Sequence, residues 1–133
     1  MSIQKVSDFM VDPLSYDVGF SAGFDSDMLK DDVDAKAYGK IVMCRSGSFV
    51  GESGYAETAP TGAALIVDIE KNGTSIYSTK PQFAASATAL TAGTLKTDGT
   101  EDFAAGDRIT FKVTQKGSSA AGQGVTFSVK GNV

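Results

Sequence analysis

Five aspartates within ten residues, Asp25, Asp27, Asp31, Asp32 and Asp34, make the densest group of potential ligands in the chain. Carboxylates spaced along a loop are the raw material of a calcium site, because a hard cation gathers about six to eight oxygens. The EF-hand pattern fails here. With Asp25 at position 1, Leu29 stands where a ligand is required, Lys30 replaces the invariant glycine and Lys36 replaces the closing glutamate. The stretch therefore reads as a solvated acidic loop, or as a patch that meets basic residues of a neighbouring subunit and sets register and salt sensitivity. No metal is assigned to it.

Asp68 and Glu70 form a second carboxylate pair, two residues apart on one strand face with Ile66. Glycoside hydrolysis needs two carboxylates roughly 5–9 Å apart, one of them tuned as an acid. Their hairpin neighbours Ser75 and Tyr77 read as ordinary surface residues, which offers neither a sugar platform nor an acid-tuning pocket. The chain also has no histidine, which removes the commonest general base and every Ser-His or Cys-His nucleophile. No G-x-S-x-G, Gly-Lys-Ser/Thr loop or cysteine cluster is present. The expectation is a protein without catalysis or cofactor.

The single cysteine, Cys44, excludes an intrachain disulfide. Its place in the run Ile41-Val-Met-Cys44 predicts a buried, inert thiol in a protein made in a reducing cytoplasm. Residues 1–35 hold two lysines against eight aspartates, whereas residues 36–133 hold ten Lys/Arg against eight Asp/Glu. The net charge of −4 argues against a nucleic-acid binder, whose domains are usually basic. The longest uncharged apolar run, AALIV, is too short to span a bilayer, and residues 1–20 lack the layout of a signal peptide.

The elements that must hold these residues are strands. Asn72-Gly73 is the strongest short hairpin signal, because both central residues of a type I′ turn take positive φ. It pairs Lys71 with Thr74 and Ile69 with Ile76, and puts Leu65, Val67 and Ile69 on one face. Tyr16–Phe24 reads as the first strand, with Val18, Phe20, Ala22 and Phe24 on one face and glycines at 19 and 23 where another backbone comes close. Ala37–Arg45 and Phe49–Thr58 follow, the latter as an irregular edge. Residues 81–99 read as loop with a weak strand at Ala89–Lys96. Asp107–Gln115 alternates with Ile109, Phe111 and Val113 inward, and Val125–Lys130 with Val125, Phe127 and Val129 inward. Short strands at this spacing specify a sandwich or barrel.

Residues 1–15 read instead as an extended or one-turn arm, cut short by Asp12-Pro13, with Phe9, Met10 and Val11 as its apolar centre. The fold expectation is all-β: a single antiparallel β-sandwich, jelly-roll-like, over 16–133, preceded by the arm at 1–15.

Three turn motifs, Pro60-Thr61-Gly62, Asn72-Gly73-Thr74 and Ala105-Gly106-Asp107, sit in the runs PTGAALIVDIEKNGTSIYS and FAAGDRITFKVTQKGSSAAGQGVTFSV. Together these resemble a β-sandwich module of bacteriophage structural proteins, found in tail-fibre segments and small capsid-associated proteins. The likeness covers about Phe20 to Val129. It implies a virion part: a decoration or cement protein that stabilises the head shell as a homotrimer, bound to the major capsid protein lattice, with no nucleic-acid or membrane partner. The contact residues expected on that reading are Phe9, Met10 and Val11 of the arm and Asp25, Asp27, Asp31 and Asp32 of the loop. The alternative is a receptor-binding or fibre module, with Tyr55 and Tyr77 as the candidates to stack a sugar. A secreted adhesion module is a third reading, disfavoured by the absence of a signal peptide.

Overall fold

The computed structural model describes residues 14–133. Its strands are β1 (Ser15–Ala22), β2 (Ala37–Val42), β3 (Gly47–Thr58), β4 (Leu65–Lys71), β5 (Thr74–Ser75), β6 (Tyr77–Thr79), β7 (Gln82–Phe83), β8 (Thr94–Leu95), β9 (Asp102–Phe103), β10 (Arg108–Gln115) and β11 (Gln123–Asn132), with no helix among the described residues. One sheet runs β1-β11-β3-β9, the other β2-β10-β4-β5, with β7 added to β4, and β6 and β8 form a separate pair. The pairs are nested: first strand with last, second with second-last, third with β9, and β4 with β5 at the hairpin. Successive pairs fall in alternate sheets. That is the wrapping of a jelly roll, two Greek keys closed into a sandwich.

Alternation drives the layers together. Phe20 of β1, Phe111 of β10 and Phe127 of β11 stack with centroids 5.3 and 5.2 Å apart, so one aromatic column joins both sheets. Val67, Ile69, Ile109, Val113, Val125 and Val129 are buried around it, as their strand positions predict. Phe49 and Phe103 pack at 4.7 Å and close one end of the sandwich. Phe103 and the fully buried Phe83 lie on β9 and β7, two-residue strands that the sequence pattern does not announce.

The turn motifs act as clasps. Asn72 and Gly73 take φ of 51° and 91°, as a type I′ turn requires. The Asn72 side chain then reaches the other turn: its Nδ2 donates to Asp107 Oδ1 at 3.1 Å, and its Oδ1 accepts from the Arg108 amide at 2.9 Å. Asp107 Oδ2 accepts from the Ala104 amide at 2.8 Å. Thr61 pairs with Ala120, which ties the third motif to the loop before β11.

Three expectations are corrected. β3 is not an edge: it pairs with β11 along its length and with β9 at Gly47 and Ser48. On its other flank the segment after β7 meets it at Tyr55, paired with Ala89, and at Ala56, whose amide donates to the Thr88 carbonyl at 2.9 Å, while Val50 stays exposed between these contacts. Cys44 is exposed, because β2 ends at Val42 and Met43 takes the inward position. The first strand runs Ser15–Ala22 and not Tyr16–Phe24, since Ser15 already pairs with Asn132 and the pairing ends at Ala22 with Val125.

Candidate functional site

The loop between β1 and β2 is built on its own carboxylates. Asp25 Oδ1 accepts from the amides of Asp27 at 2.8 Å and Leu29 at 3.0 Å, while the Asp25 amide donates to the Leu29 carbonyl at 2.9 Å. Phe24 pairs with Lys30 beneath this turn, and Lys30 Nζ donates to Thr58 Oγ1 at 2.9 Å. Farther on, Asp31 Oδ1 accepts from the Asp32 amide and Asp32 Oδ1 from Gln123 Nε2, both at 2.8 Å. Val33, fully buried, anchors the return to the core. Asp25, Asp31 and Asp32 thus spend oxygens on holding the loop, and among the described residues no three acidic or cysteine side chains are grouped to hold a metal ion.

Among its exposed, mostly charged residues the loop also presents two large apolar side chains. Met28 and Leu29 at its tip are 66% and 63% exposed, Met28 at a φ of 62° that non-glycine residues seldom adopt. Asp25 thus frames the turn that carries the Met28–Leu29 knob, Asp27 stands exposed beside it in the chain, and Asp31 and Asp32 bond separately farther along the loop. The adjacent Met-Leu pair inside an aspartate-rich run was the available signal for the knob. Phe9, Met10 and Val11 lie outside the described residues.

At the other end of β1 and β2 the sheets part. Phe20 lies against Gly39, where any side chain would collide with its ring, and closes one part of this corner. Below it Leu14, Tyr16, Ile41, Val42, Arg45 and Val133 line an open groove of about 550 Å³. Leu14 and Val42 are exposed there among the described residues, and Arg45 supplies its positive charge.

The second carboxylate pair is not where the sequence puts it. Asp68 is 1% exposed and Tyr77 is buried, because the chain after the hairpin turns inward at Ile76-Tyr77 and covers β4. Ser75 Oγ donates to Asp68 Oδ1 at 2.5 Å, and Lys112 bridges to Glu70 at 2.6 Å across the sheet. Burial raises the Asp68 carboxyl above its ordinary range, opposed by the Ser75 hydrogen bond and the positive charge of Lys80. Burial likewise raises Glu52, opposed by the Gly93 amide that donates to its Oε1 at 2.8 Å. The Tyr77 phenol is held neutral by burial and by the negative charges of Glu52 and Asp68, and its hydroxyl has no partner among the described residues. With no cleft at Asp68, this is a packed polar knot. Tyr77 is withdrawn as a sugar platform, whereas Tyr55 remains 55% exposed on β3.

No protein-family model, no curated protein and no solved structure matches this chain.

Proposed function

We propose that this chain is a bacteriophage virion structural protein, a decoration or cement protein that sits on the head shell as a homotrimer and works by contact alone. The observation that carries the reading is the Met28–Leu29 knob. Two large apolar side chains are held out on a loop shaped by the Asp25 carboxylate, an arrangement that suits a docking partner. The nested strand order supports the reading by analogy of fold, since viral capsid and lectin domains use it. A protein that binds the assembled lattice and not its free subunits stabilises the shell by mass action. The test is the thermal stability of shells with and without bound protein, with copies per particle counted. A rise in shell melting at hundreds of copies supports cementing, and identical melting of both particles removes it.

A second reading rests on Tyr55. It stands on a shallow shelf with Ser53, Gly54, Thr126 and Ser128, where an aromatic face beside small hydroxyls could hold a sugar of a cell-surface receptor. Glycan binding lost in Tyr55→Ala, with three to about eighteen copies per particle, would replace decoration by a fibre or receptor role.

A further inference from the structure

The exposed Met28–Leu29 knob and the groove lie at opposite ends of the β1–β2 corner. The chain enters β1 beside the groove at Ser15, runs through its eight residues to the acidic loop, and returns along β2 to the groove at Val42. From Val18, the last β1 residue to line the groove, to the end of the strand at Ala22 is roughly 13 Å at about 3.3 Å per residue, and Met28 lies six residues farther on. The knob is apolar and flanked in the chain by the exposed Asp27 and by Lys30, whose ammonium is turned to Thr58; the groove is largely apolar and Arg45 is among its lining residues. The groove's 550 Å³ lies within the range of about 300–1,000 Å³ typical of sites that enclose a ligand group. A knob cannot reach the groove of its own copy from the far end of β1.

The geometry points to a head-to-tail contact between copies of this chain, in which Met28 and Leu29 of one copy seat in the β1–β2 groove of the next and Asp27 faces Arg45. Such a contact is heterologous, so it closes into a ring when the rotation allows and leaves no knob or groove unused. It rests on the homotrimer reading for the number of copies and supplies the residues for it. Burial of two large apolar side chains provides attraction, and the charge pair sets which knob orientation fits.

The experiment measures solution mass by sedimentation across 1–300 µM for the full chain, four variants and a chain lacking residues 1–13. Met28→Asn removes the apolar group while suiting the left-handed backbone, so the loop stays folded. Asp27→Arg and Arg45→Asp each place like charges together, and the double variant restores an opposite pair. The expected result is an oligomer whose association weakens at least tenfold in Met28→Asn and in each charge reversal, and recovers in the double variant. An oligomer indifferent to all of these overturns the contact and leaves the homotrimer reading standing. A monomeric full chain that associates only after removal of residues 1–13 also overturns it, because the groove is then filled by that segment. A chain monomeric in every form overturns both the contact and the preformed trimer, while shell co-sedimentation still tests the decoration role.

Discussion

Phe111→Ala probes the joint on which the whole sandwich depends. Phe111 is fully buried on β10 and stacks at once on Phe20 and Phe127, which belong to the opposite sheet. Truncating a buried phenylalanine costs about 3–5 kcal/mol, from lost transfer energy and the cavity left behind. That is a large fraction of the roughly 5–15 kcal/mol by which a domain is stable. Unfolding entropy of about 2.1 cal/mol/K per residue over 133 residues makes each kcal/mol worth about 3–4 °C, so the melting temperature should fall by roughly 10–18 °C. Phe111→Leu keeps most of the volume and loses both ring contacts, so its cost should be about 1–3 kcal/mol. The chain has no tryptophan, so circular dichroism with urea titration is the suitable readout. A double-mutant cycle of Phe111→Leu with Phe127→Leu should return a coupling of about 0.5–1.5 kcal/mol. An alanine variant that loses under about 1 kcal/mol with an unchanged denaturant slope would refute the idea that this column joins the sheets.

Other perturbations read the remaining features. Asp68 and Glu52 have raised folded pKa values, so the folded state holds their protons more tightly than the unfolded chain; their contribution is complete below pH about 4 and is lost as pH rises through the folded values. Asp68→Asn should therefore raise the urea midpoint at pH 7 and flatten its decline from pH 4 to 7, and a lower midpoint at pH 7 would contradict the sign. Asn72→Ala forces alanine to a φ of 51° and severs two side-chain hydrogen bonds to the facing turn, a loss of about 2–4 kcal/mol seen in thermal melts. Cys44 should react with a maleimide in the native protein at a rate near that of the unfolded chain, because it is exposed; strong native protection would restore the buried assignment. Removing residues 1–12 should leave the dichroism melt unchanged and lower shell co-sedimentation if Phe9 and Met10 are attachment residues; a lower melt would show that they pack on their own domain.

Long strands were legible because burial on one face writes a period of two into the chain. Leu65, Val67 and Ile69, then Ile109, Phe111 and Val113, then Val125, Phe127 and Val129 all point inward as that period requires. The short strands were not legible, since Gln82-Phe83 and Asp102-Phe103 have no period to show. They exist because their phenylalanines fill gaps between strands far apart in sequence. The Asp68 error has the same root: outward alternation was read correctly on β4, but the outward side of that strand is roofed by the turn inward at Tyr77, a tertiary fact. Cys44 failed at an element end, where the period stops two residues before the apolar run does. The acidic loop was visible as charge, and its aspartates are exposed as that reading expects; the two exposed apolar residues at its tip carry no periodic signal.

The hydrogen bonds of the acidic loop separate the shape of its tip from the stability of the core. The loop aspartates are solvated, and Asp25, Asp31 and Asp32 each also accept backbone or side-chain hydrogen bonds, so the negative charge is tied to one loop shape. Holding Met28 at positive φ costs energy that the loop must offset, and the Asp25 carboxylate, bonding amides on both sides of Met28, is the group placed to do so. Asp25→Ala should therefore affect association more than folding. The sandwich core contains none of these groups, so its melt should stay within about 1 kcal/mol of the native chain, while the knob loses its fixed presentation and self-association weakens as it does in Met28→Asn. An Asp25→Ala chain that associates normally would mean the knob needs no frame, and that the aspartates serve some other partner.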